Sequence, residues 1–303
     1  MLEVRRLRLL YELERQGTIA AVAEALHFSP SGVSQQLAQL ESEVGVPLLE
    51  RVGRGVRLTD AGRLLASHAG AVIRQLERAE AELSATRDRP GGTVRIATFQ
   101  TAALALVPPM LDRLAAHPGL RVELAQAEPE QALPALLARD FDLIVSEEYP
   151  GVPAPVSGDV DRVDLCRDEM ELVLPSGDGS ARDADPLASA ADHAWVMEPP
   201  GTMSREWATN VCRSAGFEPA VAFESGDMLV HRELAARGHA AAFLPRLLSQ
   251  ALPTTLATHP LNQARTIFTL VRRGRETHAS VLAVREALGE ALHDSAAVTR
   301  QLR

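Results

Sequence analysis

The sequence predicts an α/β chain: a small helical head and one long helix, followed by a two-lobed α/β body with mostly parallel sheets. Three patterns carry this. Two short amphipathic segments flank a polar break between Gly17 and Glu41; an apolar stripe of heptad spacing runs from Leu65 to Leu83; strands and helices alternate twice between Thr93 and Leu244.

In the head, Leu7, Leu10 and Leu13 give residues 2–15 one apolar helical face. Ile19, Val22, Ala23 and Leu26 do the same for the next helix, with Thr18 as its N-cap and, like Ser29 and Pro30 below, a candidate DNA-contacting residue through its hydroxyl on a phosphate. After His27-Phe28, Ser29 is an N-cap and Pro30 suits the first helical position, where its missing N–H costs nothing. Val33, Leu37 and Leu40 form the buried face of this third helix. Its other face is Ser31, Ser34, Gln35, Gln36 and Gln39, side chains able to hydrogen-bond base edges or phosphates in a major groove. Two such helices joined by a tight turn are a helix-turn-helix. A hairpin over Leu48–Thr59 follows, with Arg51, Arg54 and Arg57 and no acid from Arg51 to Thr59, fit to hold a sugar-phosphate backbone.

A helix to about Thr86 comes next, with the seam Leu65, Ala69, Val72, Leu76, Ala79 and Leu83. At ~1.5 Å per residue it spans roughly 35–40 Å, too long for its own domain to bury, so it reads as a dimerisation helix. Its opposite face carries Arg63, Arg74, Glu77, Arg78 and Glu80–Glu82. Arg87-Asp88-Arg89-Pro90-Gly91-Gly92 breaks it.

Strands are expected at Thr93–Thr98, Leu120–Ala125 and Phe141–Ser146, with helices near Ala102–Ala116 and Glu130–Ala138 between them and a loop at Tyr149–Gly158. The pattern restarts near Leu165: strand Glu169–Leu174, loop Pro175–Asp185, strand Ala194–Met197, helix Ser204–Ala215, strand Ala220–Phe223, helix Asp227–Ala236, strand Ala240–Leu244, helix Pro245–Leu252, strand Arg265–Val271 and helix Thr277–Leu292. The expected division is 1–60 for the head, 61–90 for the helix and hinge, and 91–303 for the body. Its first lobe is 91–164 with 265–303 and its second 165–264.

The head resembles the DNA-binding domain of LysR-type transcriptional regulators. The resemblance rests on Ala20, Ala21 and Leu26, then Val33, Ser34, Leu37, Leu40 and Glu41, then Gly45, Leu48, Arg51, Arg54, Leu58-Thr59 and Ala61-Gly62. Pro30-Ser31 stands where the family usually has Gln-Pro, Leu49 where it has Phe, and Gln35 where it often has Arg. The body is similar more loosely, through His117-Pro118, Leu120-x-Val122-x-Leu124, Phe141-Asp142-Leu143, Gly238 and Phe243-Leu244-Pro245, with Ala240 in place of a second glycine. The resemblance implies an effector domain like a periplasmic binding protein. It also implies promoter DNA, a small-molecule effector and further copies of the chain, as dimer or tetramer, as partners. RNA polymerase is a further partner compatible with this reading.

Ligands of open parallel sheets collect at strand carboxyl ends, beside helix N-termini that favour anions. Two such places are Thr98-Phe99-Gln100-Thr101 and Pro199–Ser204, with Thr202 and Met203; Ser225 and Asp227 begin a third helix. By resemblance, Thr101 and the segment around Thr202 face the effector; the helix ends make a small anion the expected ligand. Each of these Ser, Thr and Asp residues also suits a plain capping role.

The net charge of −9 and the seven Arg against eight acids in residues 1–60 mean that DNA affinity must come from local clustering. No cofactor is expected: no dinucleotide, phosphate-loop, zinc-protease or nucleophile-elbow motif occurs, and the nine histidines lack metal-ligand spacing. Catalysis is not expected either. No apolar run spans a membrane, and Met1–Leu13 is too charged for an export signal, so the expected location is the cytoplasm. A solute-binding receptor without DNA function is the alternative that the body alone permits.

Overall fold

The computed structural model describes residues 1–53, 55–87, 89–155, 157–175, 186–252 and 256–301, with side chains as far as 292. Arg54 and most of the expected loop Pro175–Asp185 lie outside the described residues.

The head is α1 (Val4–Gln16), α2 (Ile19–Ala25), α3 (Pro30–Val44) and a hairpin of β1 (Leu49–Val52) and β2 (Gly55–Leu58). The caps are those the sequence announces: Thr18 Oγ1 accepts from Ala21 N at 3.1 Å and Ser29 Oγ from Gly32 N at 3.1 Å. Leu10, Val22, Val33, Leu37, Leu40 and Leu48 close one small core. Glu41 reaches out of α3 to accept from Leu48 N at 2.8 Å and Leu49 N at 2.9 Å, which fixes where the hairpin leaves the core.

Next comes α4 (Asp60–Ala85), capped by Thr59. It is not a free connector. Gly70 lies so close to the Tyr11 ring that an added Cβ would stand 2.6 Å from it, and a Cβ on Gly274 would meet Arg74 O at 2.6 Å. Two close approaches thus hold α4 against both the head and the body. The expected seam is corrected accordingly. Leu65 and Ala69 pack into the head's own core, whereas Val72, Leu76, Ala79 and Leu83 are exposed. On the opposite face, the sequence gives no sign that Glu77 is buried, yet it is 1% exposed.

The body begins with β3 (Gly92–Thr98), α5 (Gln100–Ala105), α6 (Val107–Leu114), β4 (Leu120–Gln126), α7 (Pro129–Ala138) and β5 (Leu143–Glu148). Pro108 and Pro109, which lack N–H donors, divide the single helix expected there into α5 and α6. Then follow β6 (Val160–Val173), the one-turn α8 (Pro186–Ser189), β7 (Ala194–Met197), α9 (Met203–Ser214), β8 (Ala220–Glu224), α10 (Met228–Ala236), β9 (Ala242–Pro245), α11 (Arg246–Ala251), β10 (His259–Arg272) and α12 (Ala279–Gln301).

The α/β class holds, but the six-stranded sheet is mixed rather than mostly parallel, with order β4-β3-β5-β10-β6-β9. β3 is parallel to β4 and β5, while β10 is antiparallel to β5 and β6, and β6 to β9. The reason is topological. The chain leaves the first lobe along β6 and returns along β10, so the two 14-residue strands run in opposite directions through both lobes. Sequence patterning caught only part of each, because charged pairs such as Arg162 with Glu148 and Asp164 decorate the start of β6 and a bulge between Pro260 and Ala264 breaks β10. β7 and β8 form a parallel pair that joins the second lobe through a bridge from Trp195 to Ala241. Apolar clusters cover both faces of the first lobe, one around Ile96, Met110, Ile267 and Val284, the other around Leu136, Ile144 and Phe268. Trp195, Trp207, Phe243 and Tyr149 form the aromatic centre of the second.

Candidate functional site

The outward face of α3 is open. Ser29, Pro30, Ser31, Ser34, Gln35 and Gln39 are all exposed, as is Thr18 at the start of α2. Some of these groups are already engaged. Ser34 Oγ donates to Pro30 O at 2.9 Å, and Gln36, half-buried, accepts from Arg6 Nε at 3.1 Å. Ser31 Oγ has a longer contact, 3.2 Å, with the exposed Ser29 Oγ. Gln35, Gln39 and, less so, Ser31 therefore present the freer polar groups. On the hairpin Arg51 and Arg57 are exposed, but Arg57 stands opposite Glu50 in register and pairs with it at 2.7 Å. The sequence count from Arg51 onward misses this acid, one strand position earlier. The net positive charge of the hairpin rests on Arg51 and, from the sequence, Arg54.

The lobes face each other where β3, β4, β7 and β8 end, since residues shortly beyond those ends bond across the cleft between them. Gln100 Nε2 donates to Asp227 Oδ1 at 2.7 Å, and Met228 N donates to Gln100 Oε1 at 2.7 Å. Met203 N donates to Glu130 Oε1 at 2.9 Å. The lobes are thus latched, and the first N–H groups of α9 and α10 are taken by protein acceptors.

The expected ligand residues divide accordingly. Gln100, Met203 and Asp227 form the latch. Thr202 caps α9, accepting from Arg205 N at 3.2 Å; Ser225 Oγ accepts from Asp227 N at 3.0 Å. Thr98 is corrected: it is fully buried, with its hydroxyl 3.5 Å from Phe99 O, because its strand is interior to the sheet. Thr101 is buried too, and its Oγ1 accepts from Arg265 Nη2 at 2.7 Å.

Arg265 is the residue that the sequence did not single out. It is 3% exposed on β10. Its Nε and Nη2 donate to Asp168 Oδ2 at 2.9 and 2.8 Å, and its Nη1 to Glu147 Oε2 at 2.5 Å. Burial opposes its charge, but Glu147 and Asp168 outweigh burial and hold its pKa well above the ordinary value. Around this pair more carboxyls converge. Burial first, then Glu147 and Glu130, push Glu128 up to about 7, against the pull of Arg265. Burial, then Glu147 and Glu128, push Glu198 up to about 8 despite hydrogen bonds from Ser204 and Thr202. Burial also raises Glu147 itself, and raises Tyr149, whose hydroxyl donates to Glu147 Oε1 at 3.1 Å. The only sequence signal for this cluster was Glu147-Glu148-Tyr149 closing an apolar strand.

A second charged junction ties the head and α4 to the first lobe. Glu77 Oε1 meets Arg139 Nη2 at 2.7 Å and Arg272 Nε at 2.9 Å, and its Oε2 lies 3.4 Å from Arg275 Nη1. Asp159 receives Arg15 at 2.8 Å and Arg74 at 3.3 Å. Arg8 Nη2 donates to Ala138 O at 2.6 Å, and the His27 ring is 3.2 Å from Asp140.

No group of three or more His, Cys, Asp or Glu among the described residues is placed to hold a metal ion. Nor is any described helix long and apolar enough to cross a membrane. Burial raises the two thiols, Cys166 to about 11 and Cys212 to about 12, which leaves both protonated near neutral pH.

A winged helix-turn-helix with an open reading face, carried on a two-lobed body with a charged cleft, defines a ligand-responsive DNA-binding regulator. The chain belongs to the LysR family: residues 4–63 match the family's bacterial regulatory helix-turn-helix model and residues 87–293 its LysR substrate binding domain model. It is 28% identical to the probable HTH-type transcriptional regulator LrrA of Synechococcus elongatus, over 86% of each chain. A full-length OxyR variant from Pseudomonas aeruginosa shares the fold with a TM-score of 0.64 at 18% identity, covering 95% of both chains. Full-length CbnR complexed with its target DNA shares it with a TM-score of 0.52 at 22% identity, over 95% of this chain and 100% of that one. The match of the head to a DNA-binding family sets aside the solute receptor without DNA function.

Proposed function

We propose that the head enters promoter DNA with α3 in the major groove and the β1–β2 hairpin on the adjacent backbone, as one of at least two heads held by the exposed stripe of α4. Gln35 and Ser31 are the base-reading groups, and Arg51 and Arg54 the phosphate contacts. The observation that carries this is the open polar face of α3, whose opposite face is packed into the core of the head. The functional units are 1–60, 61–90 and the two-lobed body 91–303, and the protein works in the cytoplasm, with no catalytic step.

Effector entry acts through α7. At its N-terminal end are Glu128 and the latch residue Glu130; at its C-terminal end Ala138, Arg139 and Asp140 touch Arg8, Glu77 and His27. A change in lobe closure therefore moves one short rod against α1, α2 and α4. A ligand shifts this balance only by its differential affinity for the two arrangements. The test is a titration of full-length protein against duplexes from upstream of its own gene at several salt concentrations. Steep salt-dependent binding is expected; its absence on every duplex defeats this reading.

A further inference from the structure

The two strands that join the lobes are not regularly paired. β10 meets Glu171 of β6 at Pro260 and Glu169 at Ala264, so Met170 alone stands opposite Leu261, Asn262 and Gln263. The extra residues arch out of the ladder as a bulge. Asn262 turns the arch in the left-handed region, at φ 53°, which asparagine tolerates better than most side chains. The second lobe holds the arch in place: Leu261 packs against its aromatic centre, and Gln263 Oε1 accepts from Trp207 Nε1 at 2.9 Å. Beside the arch is a cavity of about 400 Å³, within the roughly 300–1,000 Å³ usual for small-molecule sites. No residue of the latch and no member of the Arg265 cluster lines it.

The lining decides what the cavity takes. Arg167 is exposed there and has no side-chain partner among the described residues. Strand alternation turns it, with Glu169, away from the face of Asp168. Glu169, the acid of the lining, is already paired with Arg246. Glu171, next along that face, is outside the lining, and burial raises its pKa against the pull of Arg246. An indole N–H only donates, so Trp207 fixes the Gln263 amide with its oxygen toward the ring and leaves the two N–H groups of Nε2 over. Met170, Pro260 and Ala264 add apolar surface. An unpaired guanidinium fork, amide N–H groups and a short apolar wall complement a carboxylate on a small carbon body. We propose that the bulge cavity is a second small-molecule site, separate from the cleft, that takes a small organic carboxylate on Arg167, with Gln263 and Asn262 beside it. Trp207, which holds the arch, lies on α9, whose first N–H bonds Glu130 across the cleft. A carboxylate that ties Arg167 of β6 to Gln263 of β10 therefore acts on lobe closure from outside the cleft, to the extent that it binds the two arrangements unequally.

The experiment is calorimetry and thermal shift on the full-length chain with acetate, succinate and benzoate as probes. Chloride at matched ionic strength and 1,4-diaminobutane are the controls. Saturable binding of at least one carboxylate, with a raised melting temperature, is expected. Arg167→Gln, at an exposed position, should leave the melting temperature of the free chain unchanged and weaken the carboxylate at least about tenfold. Gln263→Glu keeps an acceptor for Trp207 but sets a negative charge beside the bound carboxylate, and should weaken it as much. No carboxylate bound at millimolar concentration overturns the proposal, as does an effect that chloride reproduces or that only the diamine produces. So does unchanged carboxylate affinity in Arg167→Gln, which would place the anion elsewhere. The site does not rest on the regulator reading: duplex binding in the same preparation tests that reading separately, and DNA bound without any carboxylate removes only the bulge site.

Discussion

Single side chains decide what the head reads and what the cleft tolerates. Arg51 is exposed on the hairpin, so Arg51→Ala should weaken binding about equally on all sequences and lower the salt slope by about one counterion. Gln35→Ala should instead change preference between duplexes by about 1–3 kcal/mol, read by competition gel shift. If both variants lose affinity in the same sequence-independent way, the division between base and phosphate contacts is wrong. In the cleft, the raised Glu128 and Glu198 bind protons more tightly folded than unfolded. Their stabilising effect is therefore present at low pH and lost as pH rises through about 7 and about 8. His231 and His278, depressed first by burial, act in the opposite sense, but only below their ordinary value of 6.5. Between pH 7 and 8.5 the melting temperature should therefore fall, and the Glu128→Gln/Glu198→Gln double variant should flatten that fall. An unchanged slope would show that these carboxyls are ordinary. The cap residues Thr18, Ser29 and Thr202 were legible from sequence because capping is a local, one-turn interaction. Arg265 was not, because its partners on β5, β6 and α5 lie up to 164 residues away.

At the scale of elements, α4 serves two surfaces at once. One face packs on its own head and first lobe, through Ala66, Ala69, Gly70, Glu77 and Ala81. The other carries Val72, Leu76, Ala79 and Leu83 into solvent, an apolar stripe too long to leave wet in a stable monomer. Leu76→Asp with Leu83→Asp is expected to turn a sedimenting dimer into monomers at micromolar concentration while leaving the far-ultraviolet dichroism intact. An unchanged mass would place the contact elsewhere. The heptad spacing was visible in the sequence, but it continued upstream into Leu65 and Ala69, which belong to the head's core. Periodicity marks an apolar face without saying which neighbour covers it. β6 and β10 show the converse. Most of β6 and half of β10 were missed: charged pairs such as Arg162 with Glu148 interrupt apolar alternation in β6, and a bulge between Pro260 and Ala264 interrupts it in β10.

For the whole molecule, the question is how a cleft in the body is felt by the head. The junction around Glu77 is the place to interrupt that coupling. It is a buried carboxylate serving Arg139 and Arg272, with Arg275 alongside, and α7 ends there. Glu77→Gln removes the nearest counter-charge of Arg139 and Arg272, leaving Arg272 and Arg275 only longer contacts to Asp142 and Glu80, and should cost up to about 3–5 kcal/mol, as breaking a buried ion pair does. Urea denaturation would measure this. If the coupling runs through α7, the variant should still bind duplex but lose its ligand response; a full response would show that the signal takes another route.

The sequence by itself determined the local and periodic features: the capped helices of the head, the polar face of α3, the stripe on α4, and the order of strands and helices. Each depends on residues within a few positions of one another, where spacing dictates structure. Only the tertiary structure decided which charges meet. The pairing of Arg57 with Glu50, the burial of Glu77, the latch of Gln100 with Asp227 and the crowd of carboxyls around Arg265 arise where distant segments are brought within a few ångströms. Electrostatic energy depends on those separations and on burial, and neither is written along the chain.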